Sequence, residues 1–215
     1  MNNKLFTVAL GITLTATAMS ASAQKAYKEG IATITMNAMG QTIEAKNYFR
    51  TDSSAVAFSS GPAAIRVLSD TKGTYMAVLV DVPVASLKKA AIATPAEVEE
   101  EMSKMPTLNF VPGTETKVIN GFNCKKVVAT DPKTNKSYDI WVTNDITLPL
   151  SAASKYYAKA GGLPIQYVTF QNGQSSEVTV KSVVEQKVPA GIFSIPADFD
   201  KITMDDLKSM GGGGN

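Results

Sequence analysis

Few residues of this chain could do chemistry, and histidine is not among them. The sequence contains no His, so Ser-His-Asp and Cys-His nucleophile pairs are excluded and the commonest transition-metal ligand is missing. Two catalytic arrangements need no imidazole: a serine beside a lysine, and a pair of carboxylates. The sequence offers one weak candidate for each.

The serine–lysine candidate is Ser86 with Lys89, in the tetrapeptide SLKK. This spacing would bring a lysine amine near a serine hydroxyl on one helical turn. The K-T-G and S-D-N motifs that accompany it in penicillin-recognising enzymes are missing. We therefore interpret the segment as a solvated turn between Val84 and Ile92.

The carboxylates give no better catalytic site. Those at positions 97 and 99–101 fall in the first turns of a predicted helix, where the helix dipole favours negative charge. Nothing in the sequence fixes two carboxylates together as a glycosidase would need. Asp131 to Asn135 resembles half of a calcium loop but lacks its glycine and terminal glutamate, so we predict a turn. We expect no catalytic residue, no metal ligand and no cofactor.

Two residues that occur once in the chain are expected to be structural. Cys124 cannot form an intramolecular disulfide because no second cysteine exists. We expect it to point inward as a small hydrophobe. Trp141 is either a core anchor or the wall of a ligand cavity, and a place in the core is favoured because most buried aromatic rings only pack.

The first 23 residues have the pattern of a secretory signal. Lys4 precedes an apolar stretch, and Ala21-Ser22-Ala23 precedes Gln24. The sequence therefore predicts export to the periplasm or the medium, after cleavage near Ala23/Gln24. Gln24 stands where a bacterial lipoprotein would have its lipidated cysteine, so we expect no lipid anchor.

The remainder is expected to form one domain over residues 24–210, followed by a flexible glycine-rich tail at 211–215. A net charge of +2, spread along the chain, gives no field that would attract nucleic acid. No apolar stretch after the signal is long enough for a transmembrane helix.

Period-two alternation in short Val/Ile/Thr/Tyr/Phe-rich runs indicates antiparallel strands from Ile31 onward. Four hairpins are predicted, which pair residues 30–36 with 43–50, 63–69 with 73–80, 123–130 with 137–143, and 165–170 with 176–184. The last of these turns at Asn172-Gly173, the strongest short hairpin signal. In its second strand we expect Val178, Val180 and Val184 to share the buried face.

Three helices are candidates to cover the sheet. Thr94-Pro95-Ala96-Glu97 predicts a capped helix that runs to about Met105. A second is predicted over residues 152–160 and a short third one after Thr203. The predicted class is α+β, mainly antiparallel β: a curved open sheet, or half-barrel, whose concave face is covered by two or three helices.

Three segments resemble a family of exported bacterial proteins of unassigned function: GTETKVINGFNCKK at 113–126, DIWVT at 139–143 and VPAGIFSIPA at 188–197. The general pattern is similar to the periplasmic lipoprotein carriers, the LolA-like and LolB-like superfamily. That resemblance implies an unclosed half-barrel that holds acyl chains in its concave face under helices. No ligand-contacting position of those carriers matches this chain residue by residue, so the resemblance implies only the architecture and an apolar cavity.

The leading hypothesis is a soluble exported carrier, without catalytic activity, that shelters an apolar small molecule or a lipoprotein's acyl chain. Flexible methionines suit such a cavity. The predicted lining residues come from the strands and from the first covering helix: Met36, Phe49, Phe58, Met76, Trp141, Tyr167, Met102 and Met105. One alternative is a structural or interaction module of the cell envelope with a packed core. The other is an enzyme that uses Ser86 and Lys89.

Overall fold

Antiparallel strands dominate the computed structural model, which describes residues 24–38, 41–149, 151, 155–171, 174–189 and 191–211. The strands are β1 (Lys25–Ala26), β2 (Gly30–Ala38), β3 (Gln41–Phe49), β4 (Ser53–Ser60), β5 (Ala63–Asp70), β6 (Met76–Val82), β7 (Leu87–Ala93), β8 (Asn109–Ile119), β9 (Phe122–Thr130), β10 (Ser137–Thr143), β11 (Ile146–Thr147), β12 (Leu163–Gln171), β13 (Gln174–Glu185) and β14 (Asp200–Ile202). The helices with described bounds are α1 (Pro95–Ser103) and α2 (Met204–Gly211).

Twelve of the strands form one open sheet in the order β14-β7-β6-β5-β4-β3-β2-β13-β12-β10-β9-β8. The terminal strands β14 and β8 do not pair with each other, so the sheet is not closed into a barrel. All pairings within it are antiparallel except that of β14 with β7, and β1 and β11 form a small separate parallel pair. The predicted fold class, an open and mainly antiparallel sheet with few helices, is confirmed.

The four predicted hairpins are present as β2–β3, β5–β6, β9–β10 and β12–β13. Gln171 pairs with Gln174, as a two-residue connection requires, while Asn172-Gly173 lies outside the described residues. The prediction of a solvated turn between Val84 and Ile92 is wrong for most of this segment. Only Pro83–Ala85 and Ser86 turn, because β7 begins at Leu87 and pairs with β6 along its whole length.

The prediction that Val184 shares the buried face of Val178 and Val180 is wrong, because β13 contains a bulge. Val180 pairs with Ile34, but Ser182 pairs with the adjacent Thr33, so one residue of β13 is left without a partner. That extra residue reverses the alternation. Val184 is therefore half exposed, with 50% of its surface accessible, and Val183 packs against the core instead.

Two apolar clusters stabilise opposite faces of the sheet. The larger one centres on Ile140, Ile165 and Tyr157 and includes Cys124, which is buried and free as predicted. The smaller one contains Leu68, Leu79 and Ala90. Ala55 belongs to the smaller cluster while its neighbour Val56 packs against the larger one. Since successive side chains of a strand point to opposite faces, the clusters lie on the two sides of β4.

The sheet is covered by helices and by the non-helical segment 192–199. Both α1 and α2 contact β7, and α1 has the predicted capping box between Thr94 and Glu97 but ends at Ser103 rather than near Met105. The helix predicted over 152–160 is partly described: residues 155–156 are helical and Ala158–Ala160 forms a 3-10 turn, while 152–154 lie outside the described residues. No helix within the described ranges could span a membrane.

The bulge predicts unequal effects of two neighbouring substitutions. Val183→Ala removes apolar area packed on the larger cluster and should lower the free energy of unfolding by about 1 kcal/mol. Val184→Ala should change it by less than about 0.5 kcal/mol, because the side chain is exposed. Urea unfolding measures both. The opposite order of the two effects would contradict the register.

Candidate functional site

A cleft of about 990 Å³ opens between the end of α1 and the sheet. We call it the methionine cleft. Its apolar lining is Met102, Met105, Pro106, Tyr138 and Phe170. Its polar rim is formed by Glu101, Lys104, Asp131, Thr134, Lys136, Gln174 and Ser175. The space is within the size range of small-molecule sites, and apolar walls with a few polar groups are typical of them.

An edge-to-face stack of aromatic rings forms the wall of the cleft on the sheet side. The ring of Phe170 lies 5.5 Å from that of Tyr138 and 6.1 Å from that of Tyr156. Behind them Tyr156 contacts Tyr157, whose ring in turn meets that of Tyr167 at 5.4 Å. Such pairs stabilise one another beyond the area they bury. The wall is thus continuous with the larger apolar cluster.

Two tyrosine hydroxyl groups fix the wall to the backbone. The Tyr156 hydroxyl donates to the carbonyl of Pro106, in the segment that follows α1, and the Tyr157 hydroxyl donates to the carbonyl of Val168. Burial raises the pKa of Tyr156 to about 12, and burial also raises the pKa of Tyr157. Both phenols therefore remain neutral donors at ordinary pH, and the Tyr156 contact ties the helix end to the aromatic wall.

The rim of the cleft holds a cation that has no carboxylate partner among the described residues. Lys104 is paired at 2.8 Å with both Glu100 and Glu101. Lys136 instead lies over the ring of Tyr138, with its Nζ 5.2 Å from the ring centroid, and makes no ion pair with a described carboxylate. An apolar ligand with an anionic end could place its tail on the wall and its charge near this lysine.

The turn predicted at Asp131 is present in the rim. The Asp131 carboxylate accepts hydrogen bonds from the Lys133 backbone N–H and the Thr134 hydroxyl, both at 2.8 Å. These bonds, the Lys133 backbone bond first, hold the pKa of Asp131 below its ordinary value. The carboxylate is thus engaged in fixing the turn that presents Lys136.

Three of the residues predicted to line a cavity lie near the methionine cleft. Met102 and Met105 line it directly. Met76, the first residue of β6, meets Met102 and the buried Val98 in an adjoining pocket of about 220 Å³. Met102 is 42% exposed and therefore accessible to a ligand.

The other five predicted residues are distributed elsewhere. Phe49 and Tyr167 are buried beside a pocket of about 60 Å³. Phe58 lines a third cavity, which is separate both from the methionine cleft with its adjoining pocket and from the pocket beside Phe49, and Met36 packs against the larger cluster. Trp141 is buried in that cluster with the ammonium of Lys117 3.9 Å above its ring, so its favoured place in the core is confirmed.

The sequence did not indicate the aromatic wall or the third cavity. Tyr138 and Phe170 become neighbours only because β10 pairs with β12, which no local pattern reveals. The third cavity, of about 700 Å³, lies over strands β3–β7 beneath the segment 192–199. The serine–lysine candidate is not assembled, since Lys89 donates to Asp200 at 2.8 Å and Ser86 lies in the turn before β7.

Several solved structures show similarity to this chain. PNGF-II is 17% identical with a TM-score of 0.50, and the match covers 85% of this chain but 32% of PNGF-II, so this chain spans about a third of that protein. An uncharacterized conserved protein from Thermus thermophilus is 10% identical with a TM-score of 0.50, over 82% and 91% of the two chains. At these identities the similarity shows the fold alone.

A DUF1329 family protein from Desulfovibrio piger is 9% identical over 77% of this chain and 88% of its own, with a TM-score of 0.25. No model of a known protein family matches the chain, and no curated protein matches it either.

The buried tyrosines predict a loss of stability in alkali. The folded-state pKa of Tyr156 and of Tyr167 is raised by burial from the ordinary 10 to about 12. Their contribution to stability is complete below pH 10 and is lost as the pH rises through about 12. Urea unfolding at a series of pH values should show this fall, and Tyr156→Phe should reduce its steepness.

The matched control for that measurement is Tyr27→Phe, since Tyr27 lies near the N-terminus, outside the aromatic wall. At neutral pH, Tyr156→Phe should also cost about 1 kcal/mol, because the hydrogen bond to Pro106 is lost. Equal alkaline profiles for wild type and Tyr156→Phe would contradict the assignment of Tyr156 to this loss.

Proposed function

We propose that the protein is an exported, non-catalytic carrier that binds an apolar ligand with an acyl chain in the methionine cleft. The acyl chain would lie between the methionine side and the aromatic wall, and an anionic end would lie near Lys136. The observation that supports this most is the joint lining of one open cleft by Met102, Met105, Tyr138 and Phe170.

The two sides of the cleft suit different parts of that task. Methionine side chains are unbranched and polarisable, so Met102 and Met105 can adapt to chains of different length. The aromatic wall is held by ring contacts and by the Tyr156 hydroxyl, so it offers a fixed surface. A binding site with one adaptable and one fixed wall favours a class of ligands over a single molecule.

A second candidate function is protein interaction through the edge strand β8, as expected for an envelope module. Val111 and Val118 of this strand are 60% and 67% exposed, and its outer edge has no partner strand within the described residues. Exposed apolar edges favour strand addition by a partner. Pro112 and the adjacent register shift weaken that edge, which is why the carrier function is preferred.

The test of the carrier function is binding of a fluorescent fatty-acid probe, combined with organic extraction and native mass spectrometry of the purified protein. Replacing both cleft methionines, Met102→Gln with Met105→Gln, makes the adaptable wall polar. We expect probe affinity to fall by about tenfold, since two thioether contacts are lost. Met210→Gln is the matched control, because Met210 is an exposed methionine of α2 away from the cleft.

The results separate the two candidates. Wild-type binding that is retained by Met210→Gln and weakened about tenfold in the double variant supports a carrier. A protein that extracts empty and binds no probe would exclude it, and would leave the β8 edge as the candidate surface.

A further inference from the structure

The cavity over β3–β7 contains a guanidinium group, that of Arg66, which forms no ion pair with a described carboxylate. It lies on the face of the smaller apolar cluster, whereas the aromatic wall is continuous with the larger one. Its volume is about 700 Å³. It is therefore a separate space from the methionine cleft, and nothing in the proposed carrier function uses it.

The two arginines of the chain differ in their partners. Arg50 pairs with Asp52 at 2.7 Å and lies over the ring of Phe193. Arg66 lines the cavity, is half-buried and donates to the carbonyl of Ile192 at 3.3 Å, without an ion pair to any described carboxylate. A guanidinium has five N–H donors in a planar fork. Most of the donors of Arg66 are thus available to a ligand.

The floor of the cavity explains why space remains beside Arg66. Ala57 pairs with Arg66 across β4 and β5, and Ala64 pairs with Asp81 across β5 and β6. These small side chains leave room where larger ones would fill the surface. On the other side, Ile192, Pro196 and Phe199 form an apolar cover, and Lys88 holds that segment through its pair with Asp198 at 2.6 Å.

A second polar atom in the cavity also lacks a partner among the described residues. Asp81 Oδ1 is buried and accepts no hydrogen bond from them, although Asp81 lines the same cavity as Arg66. A buried acceptor without a donor is costly. The cavity thus places a cation with free donors and a carboxylate on one surface, and one molecule with an anionic group and an N–H or O–H group would complement both.

We propose that this cavity binds a small organic anion. Its carboxylate or phosphate would accept hydrogen bonds from the Arg66 guanidinium, which matches such groups in geometry. A neighbouring hydroxyl or amide of the ligand would donate to Asp81, and its apolar part would lie against Ile192 and Phe199. The segment 192–199 is thus a cover of a binding site as well as of the apolar cluster.

The test is isothermal titration of the purified protein with 3-hydroxyoctanoate. This molecule has an anionic carboxylate, a hydroxyl group that can donate, and an apolar chain. Octanamide lacks the anionic group, and inorganic phosphate lacks the apolar part. We expect 3-hydroxyoctanoate to bind, Arg66→Gln to weaken it by about tenfold or more, and Lys159→Gln, which removes a charge outside the cavity lining, to leave it unchanged. Octanamide affinity should be the same in wild type and Arg66→Gln.

Two further variants keep the outcome decisive. Ala64→Leu fills the floor without changing charge and should also abolish the binding, which covers the case in which Arg66→Gln does not fold. The titrations are therefore repeated in the double variant Met102→Gln with Met105→Gln, in which the methionine cleft is impaired and the Arg66 site should still bind, so that failure here and failure of the carrier function are distinguishable. In that background, binding that survives both Arg66→Gln and Ala64→Leu, or no binding when neither is introduced, would overturn the proposal. If only phosphate binds, the site is one for inorganic anions and the proposal is likewise wrong.

Discussion

The pairing of β2 with β13 is the interaction on which the rest of the structure depends. It joins a meander of β2 to β7 to a second one built from β8, β9, β10, β12 and β13. Val178 lies opposite Met36 and Val180 opposite Ile34, so residues near the two ends of the described chain form the middle of the sheet. Most neighbouring strands within each meander are close in sequence. The pairing of β2 with β13 instead brings together two segments that are far apart in the chain, which costs more conformational entropy. The stability of the whole sheet therefore rests on a contact that forms between distant residues.

The junction also determines where space is left. Around it the larger cluster packs densely, with Ile140, Ile165 and Val178 almost fully buried. Toward β7 the strands have smaller side chains, with Ala77, Ala90 and Ala91 completely buried, and the cover consists of α1, α2 and the irregular segment 192–199. This cover does not seal the sheet. The clefts that we connect with ligands are thus consequences of a core that is concentrated at one end.

Local sequence patterns were sufficient for much of the fold and for half of the candidate site. Alternation and turn residues predicted the four hairpins, and the capping box predicted the start of α1, because these depend on neighbouring residues.

The strand β7 was not recognised, since LKKAAIA has low β-propensity and is stabilised by β6 and β14. The reversed face of Val184 depends on a bulge, which alternation cannot reveal. The same distinction applies to the candidate site: Met102 lies in α1 and Met105 two residues past its end, so local sequence brings them together, whereas Tyr138 and Phe170 meet only through the pairing of β10 with β12. Arg66 gave no signal at all, because what distinguishes it is the lack of an ionic partner across neighbouring strands.

In the proposed carrier function, an open sheet with an incomplete cover binds a chain-like apolar molecule between α1 and the aromatic wall. A crystal structure of the protein grown with dodecanoate tests it most directly. The account predicts continuous electron density for the acyl chain between Met105 and Phe170, with its carboxylate toward Lys136. A structure at saturating dodecanoate in which Met102 and Met105 pack onto Tyr138 and close the cleft, with no ligand density there, would contradict it.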